Sequence, residues 1–333
     1  MSDPLGRPAK IVFFVESWMA VTWYRCNTPA LALNDLGYNV TLTDTFDAGW
    51  IDDCDVLVVE RPWRPEVLHL VMAVNARGGM TVFDTDDDYW TLHPENPAYE
   101  FWDAERLAGM KQIVHACKLV TTTTPELVEV LRPMNKNVRM LPNMLPDAYW
   151  PQERKPINES DSLVIGWAGS PGHQPDVRMI GPALVQILDE FPAVELHLAG
   201  ANAGWIPPHS RVVEVAPVEL DAYAGLLAGF DIGIAPLIDN RFNRAKSDLK
   251  FLEYSTIGIP SVLSRVSPYT RSVKHGENGY LAVNTKDWLK YLRALVRDPV
   301  LREDMASRAW TYARTRMMSN NVDKWLRAYG LTD

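Results

Sequence analysis

Short β-rich apolar runs recur along this chain, segments of helical periodicity separate them, and the alternation breaks off once and then restarts. That pattern constrains the fold more than any single motif. The first series holds KIVFFV at 10–15, then runs at 40–43, 56–59, 80–83, 119–122 and 138–141. Helical patterns lie between them. One covers 28–36 and closes at Gly37. Another covers 65–77 and stops at Gly78-Gly79, glycines being the residues that end helices in a left-handed turn. Thr124-Pro125-Glu126 reads as a helix start with proline in the first turn. Strands that are apolar throughout, rather than on alternate residues, are covered on both faces, and with helices between them they form a parallel sheet.

The break is a segment with Pro142, Pro146, Pro151 and Pro156, ending in the polar Asn158-Glu-Ser-Asp161, which reads as a linker. Beyond it, strands are expected at 163–167, 194–198, 211–215, 232–235, 261–264 and 279–283. Helices are expected at 177–190, 220–228, 247–257, 286–297 and 301–329. A length of 333 residues accommodates two such α/β units. The expected division is residues 1–155, residues 156–305, and a terminal helical segment, 306–333. Open parallel sheets bind ligands at the carboxyl ends of their strands, so the joint pocket belongs in the cleft between the two halves.

Charge and cysteine content narrow the function classes. The net charge of −9 is unevenly spread: residues 1–155 carry 14 basic and 22 acidic residues, the remainder 19 and 20. An acidic first half argues against non-specific grip on nucleic acid or anionic membrane. Cys26, Cys54 and Cys117 are far apart, form no CxxC pair and have no histidine at zinc-ligand spacing, as expected of buried free thiols in a reducing cytosol. The first apolar run is five residues long, too short for a secretory leader, and no stretch approaches 18 uninterrupted apolar residues. A soluble, cytoplasmic chain is expected, with peripheral membrane association left open.

The chemistry concentrates in Phe230-Asp-Ile-Gly-Ile-Ala-Pro-Leu237, Asn243-Arg-Ala-Lys-Ser-Asp-Leu-Lys-Phe-Leu-Glu-Tyr254 and Gly258-Ile-Pro260, read as strand, loop, helix and turn. Ser247 stands where an N-cap is expected and Lys246 just before it, and a helix N-terminus beside a lysine is a phosphate site. Lys250 and Glu253 follow at spacings that put all three charged residues on one side of the helix.

This string resembles the donor-binding segment of GT-B glycosyltransferases, in particular the family 4-like (group 1) enzymes of bacterial or phage type. Ile165-Gly-Trp-Ala-Gly-Ser-Pro-Gly-His173, Leu141-Pro-Asn-Met144 and His275-Gly-Glu-Asn-Gly-Tyr-Leu281 resemble further motifs of that family. The resemblance implies two Rossmann-like domains facing across a cleft, with a nucleotide-sugar bound to the second and an acceptor to the first. Glu253 would hold the ribose diol, an acceptor-only carboxylate suiting two hydroxyl donors. Lys246 and Lys250 would neutralise the leaving diphosphate. Gly169 and Ser170 would approach the phosphates, with His173 near them and residues 211–216 passing the base. The implied activity is sugar transfer to an acceptor hydroxyl, with retention and without an essential metal or separate cofactor. The donor would be a nucleotide-diphosphate sugar, UDP-sugar ahead of GDP-sugar. The acceptor would be a surface glycan, lipid-linked saccharide or protein, or alternatively a hydroxymethylated base in DNA. A non-catalytic nucleotide-sugar-binding subunit is the other alternative, because Ala245 stands where the family often has the first of two glutamates.

In the first half, Asp84-Thr-Asp-Asp-Asp88 puts four carboxylates directly after a strand. It reads as a metal site, a helix-capping loop or a cleft-facing catalytic segment. The resemblance puts the phosphate loops in the other half and places this cluster at the strand end where the family often has a catalytic-site histidine facing the donor sugar, which favours the last reading. On that resemblance Asp84 and Asp86 are the candidate catalytic residues, crowding raising their pKa as a base requires. The family's loop after the first strand approaches donor and acceptor, so Trp18 and Arg25 there, and Glu60 at the end of the third strand, are candidate contacts to acceptor or sugar. The segment 101–114 is expected to face the core. The resemblance also implies a C-terminal helix, 306–333, that crosses back to the first domain, with Trp310 and Trp325 anchoring the terminal helices.

Overall fold

The computed structural model describes residues 8–207 and 209–332; the segment 1–7, expected to carry no leader, lies outside the described residues. Two six-stranded parallel sheets organise the chain. The first runs β1 (Lys10–Val15), β2 (Asn39–Thr43), β3 (Val56–Glu60), β4 (Met80–Thr85), β5 (Leu119–Thr122) and β6 (Val138–Met140), in the spatial order β2-β1-β3-β4-β5-β6. The second holds β7 (Leu163–Ala168), β8 (Val194–Ala199), β9 (Val212–Val215), β10 (Ile232–Ala235), β11 (Ser261–Ser264) and β12 (Tyr280–Ala282), ordered β12-β11-β10-β7-β8-β9. The α/β class and the two parallel sheets are those the alternation predicts, and the two Rossmann-like halves those the resemblance implies. β3 and β5 are buried at every residue, which is why their sequences show no polar alternation.

The strand order places the site. In the first sheet the order reverses between β1 and β3, in the second between β7 and β10. Loops that leave such switch points diverge to opposite faces and open a crevice at the strands' carboxyl ends. Those loops carry residues 16–25 and Glu60-Arg61 in one half, and 169–173 and 236–246 in the other.

Three helix expectations need correction. The helix expected over 177–190 is two, Gln174–Met179 and Gly181–Glu190, because Pro182 has no N–H to donate to the Arg178 carbonyl and so stands in a first turn rather than inside a helix. The helix expected from Ser247 begins at Leu249, so Ser247 is not its N-cap. The terminal helix is broken into Pro299–Arg314 and Val322–Tyr329. The Asn321 side chain donates to the carbonyls of Thr315 and Met317, ending the first piece with its carbonyls satisfied. Between the pieces the chain crosses to the first half, where Met317 bridges Leu145. Trp325 is then buried among Ile11, Phe13 and Leu33. Trp310 instead borders a groove formed by linker residues 152–157. The helix Ala104–Ala116 buries Met110, Ile113 and Val114 in the first half's core. All three cysteines are free and buried.

Arg25 and Asp84 are both almost wholly buried, and they form a two-pronged ion pair, Nε to Oδ1 at 2.8 Å and Nη2 to Oδ2 at 2.7 Å. Nη1 of Arg25 donates to the Leu141 carbonyl and to Asn143, and Thr121 donates to Asp84. The pair therefore ties the segment after β1 to β4, β5 and the chain that leaves β6. Removing one partner strands a charge in the interior, at a cost of about 3–5 kcal/mol. Arg25→Ala is expected to lower unfolding free energy by that order in urea titrations, and the double variant Arg25→Met/Asp84→Asn to recover part of the loss. A single-variant loss below about 1 kcal/mol would contradict this role.

Candidate active site

A cavity of about 1050 Å³ opens between the two halves at both switch points. Ser170, His173, Lys246, Ser247, Lys250 and Glu253 line it from the second half, and Glu16, Arg61, Asp86, Asp87 and Tyr89 from the first. Of the donor-side residues expected from the sequence, these six converge; Gly169 and the segment 211–216 do not line the cavity. A Cβ at Gly169 would lie 2.6 Å from the Trp167 ring, so that glycine answers to packing.

Glu253 lies in the helix Leu249–Ile257 and is nearly buried. Its Oε1 accepts from the Tyr24 hydroxyl at 2.9 Å, and its Oε2 from Tyr223 at 2.9 Å and Lys250 at 3.0 Å. Tyr24 belongs to the first half, so this bond spans the cleft. Lys246 also reaches across, its Nζ 3.1 Å from Asp87 and 4.4 Å from the centre of the Phe242 ring. Ser247 accepts from Asn143 at 3.0 Å. Asp248, at the helix start, caps nothing; it is held by Arg316 and Ser272.

His173 ends a short turn, and its Nδ1 sits 2.8 Å from Asp176. Asp176 also accepts from the Ile238 amide and from Asn243, which ties the turn after β7 to the loop after β10. With a carboxylate at Nδ1, that nitrogen carries the hydrogen and Nε2 is left as an acceptor. Burial holds the His173 pKa below its usual value, against the pull of Asp176, with nearby Lys246 acting in the same direction as burial.

In the first half the expected site residues separate. Asp86 lines the cavity; Asp84 does not, because it is consumed by Arg25. Arg25 is likewise interior. Glu60 is buried, accepting from Arg61 at 2.6 Å and Thr22 at 3.1 Å, and does not face the cleft. Trp18 is exposed and bonded to Asp44 outside the cavity. The causes differ. Asp84 and Glu60 lie within their strands and are held by Arg25 and Arg61, whereas Asp86 follows the end of β4 at Thr85. Arg25 lies in a helical segment and turns to a partner 59 positions away. Trp18 lies in the loop after β1 and turns to Asp44.

The four clustered carboxylates turn to different partners: Asp84 to Arg25, Asp87 to Lys246, Asp88 to Thr91, while Oδ1 of Asp86 is buried with no hydrogen-bond partner. Among the described residues no three metal-ligating side chains converge. Burial, and then the charge of Asp87, push the Asp86 pKa up to about 7. Four residues beyond the candidate set complete the site. Asp87 belongs to the flagged cluster, and Asp176 stands three residues after His173, a spacing that could have revealed it. Arg61 follows a strand end. Tyr24 pairs with a residue 229 positions away, and nothing local announces that.

No protein-family model matches the chain, and no curated protein matches it in sequence. Solved structures share its fold. A sucrose-phosphate synthase from Thermosynechococcus elongatus aligns over 98% of this chain and 99% of its own, with a TM-score of 0.68 at 13% identity. An α-glucosyltransferase solved with UDP and a 13-mer DNA containing an HMU base aligns over 98% and 100%, with a TM-score of 0.66 at 12% identity. Staphylococcus aureus TarM, solved with UDP, aligns over 82% of this chain with a TM-score of 0.62 at 13% identity; this chain spans 55% of that protein's length. The architecture is the GT-B arrangement of two Rossmann-like domains.

Unfolded, Asp86 ionises near 3.8; folded, it holds its proton to about 7. Ionisation at higher pH therefore costs folding stability, and the cost vanishes as pH falls toward 4. Asp86→Asn, which cannot ionise, is expected to be more stable than the parent at pH 8, with the difference closing toward pH 4. Unfolding curves whose difference is independent of pH would contradict the raised value.

Proposed function

We propose that this protein is a glycosyltransferase that moves a sugar from a nucleotide-diphosphate donor to an acceptor hydroxyl. The observation that carries the reading is the convergence, in one interdomain cleft, of Ser170, His173, Lys246, Lys250 and Glu253 opposite Asp86. Each residue type suits its task. Lys246 and Lys250 supply positive charge where negative charge develops on the departing diphosphate. Glu253 offers acceptor oxygens to the ribose hydroxyls once Tyr24 or Tyr223 yields. The bond between sugar C1 and the diphosphate oxygen breaks, C1 bonds to the acceptor oxygen, and the hydroxyl proton passes to Asp86. A carboxylate whose pKa stands near neutrality is poised for that exchange. Closure of two domains over the donor keeps out water that would otherwise take the sugar.

The finer reading is UDP-sugar as donor, GDP-sugar next, retention of anomeric configuration, and charge stabilisation by lysines without an essential metal or added cofactor. Fold likeness to structures solved with UDP supports the choice of base. Retention rests on the motif resemblance alone. The domain roles follow the same reading: residues 156–305 bind the donor, residues 1–155 the acceptor, and 306–333 join them. Three buried free thiols suit a reducing compartment such as the cytoplasm. Among the described residues no helix is long and apolar enough to cross a membrane.

Thermal unfolding with a panel of nucleoside diphosphates tests the donor site. A ligand present at about 100 times its dissociation constant adds roughly 2.7 kcal/mol to stability. UDP is expected to raise Tm with EDTA present, and Lys246→Ala to weaken UDP at least tenfold. No shift with any nucleoside diphosphate, or equal affinity in the variant, would contradict the assignment.

A further inference from the structure

Arg61 is the one non-glycine residue with positive φ among those described, at 52°. A left-handed backbone at a long side chain is costly and persists where surroundings enforce it. Here the Arg61 amide donates to the Asp84 carbonyl at 3.1 Å, so the chain leaving β3 is fixed to β4. The guanidinium is nearly buried. Its Nε donates to Glu60 at 2.6 Å and its Nη1 to the Tyr89 hydroxyl at 3.1 Å, but its Nη2 has no partner.

Asp86 presents the complementary deficit. It lines the same cavity wall, its Oδ1 is buried without a partner, and its charge and that of Arg61 act on each other. One side thus holds an orphan donor and the other an orphan acceptor. A hydroxyl group is both donor and acceptor, and one hydroxyl satisfies the two at once.

The surroundings restrict what carries that hydroxyl. Met19, Trp63, Tyr89, Phe101 and Trp102 line this end of the cavity. Tyr89 and Trp102 rings lie 4.6 Å apart, and Phe101 meets Trp102 edge-on at 5.1 Å. Aromatic faces of this kind suit the apolar face of a ring. Of the first half's charges in the cavity, Glu16 is paired with Arg64, Asp87 with Lys246 and Arg61 with Glu60, which leaves the carboxylates of Asp86 and Glu95 unmatched among the described residues. An anionic ring or a phosphate chain meets net repulsion there.

We infer that Arg61 and Asp86 together position the reacting hydroxyl of an uncharged sugar ring laid against the Trp63–Tyr89–Trp102 wall. The inference rests on the transfer reading above and names its acceptor class. Arg61 acts as a positioning residue.

The test is calorimetric binding to the full chain, with 4-nitrophenyl hexosides as neutral probes. A 4-nitrophenyl glucuronide and an oligonucleotide carrying a hydroxymethylated base serve as anionic probes, and UDP is titrated separately. The neutral hexoside is expected to bind at least tenfold more tightly than either anion. Arg61→Met and Asp86→Ala are each expected to weaken the hexoside at least tenfold while keeping UDP affinity within threefold, which also shows that the variants are folded. The inference is overturned by hexoside affinity unchanged in both variants, by equal affinity for the glucuronide, by preference for the oligonucleotide, or by no hexoside binding. If the parent protein binds the hexoside but no nucleoside diphosphate, the donor reading fails and the hydroxyl site stands.

Discussion

The buried ion pair between Arg25 and Asp84 is the contact on which the arrangement of the cleft depends. It joins the helical segment after the first strand to the fourth and fifth strands and to the chain leaving the sixth. Asn143, held by Arg25, donates in turn to Ser247 of the second half. Arg316 reaches both the Asn143 carbonyl and Asp248. A continuous run of charged and polar contacts therefore links the first sheet to the start of the helix that carries Lys250 and Glu253. Such a network specifies one geometry, because every alternative leaves a buried charge without a partner.

Across the cleft the two halves are electrically unlike. The second half brings lysines, a histidine kept neutral by burial, and a glutamate; the first brings a row of carboxylates and one arginine. In the cleft these groups answer one another, Lys246 to Asp87 and Glu253 to Tyr24. On the proposed donor site, the phosphates of a nucleotide diphosphate would take Lys246 from Asp87, and its ribose would take Glu253 from a tyrosine. Donor binding and the relation of the two domains would then be coupled through the same atoms.

The fold was legible because it is written in periodicity. Twelve strands follow apolar runs, and turns such as Gly37, Gly78 and Gly258 fall where left-handed backbone is needed. The second half's lining of the cavity was legible because most of its residues lie close in sequence, around a strand, a loop and one helix. The first half's lining was not. Whether Asp84 or Asp86 faces the cleft depends on where β4 ends, and Arg25 was taken for a ligand contact because nothing in the sequence says that Asp84, 59 positions on, is its partner. Tyr24, Tyr223 and Arg61 acquire their roles only through contacts between distant segments. The break of the terminal helix before its crossing likewise depends on Asn321 capping carbonyls behind it.

The most direct test of the account is a crystal structure of the protein with UDP bound. The account predicts the diphosphate on Lys246 in place of Asp87, and the ribose hydroxyls on Glu253 with the Tyr24 bond broken. UDP bound elsewhere, with Lys246 still on Asp87 and Glu253 still held by both tyrosines, would contradict it.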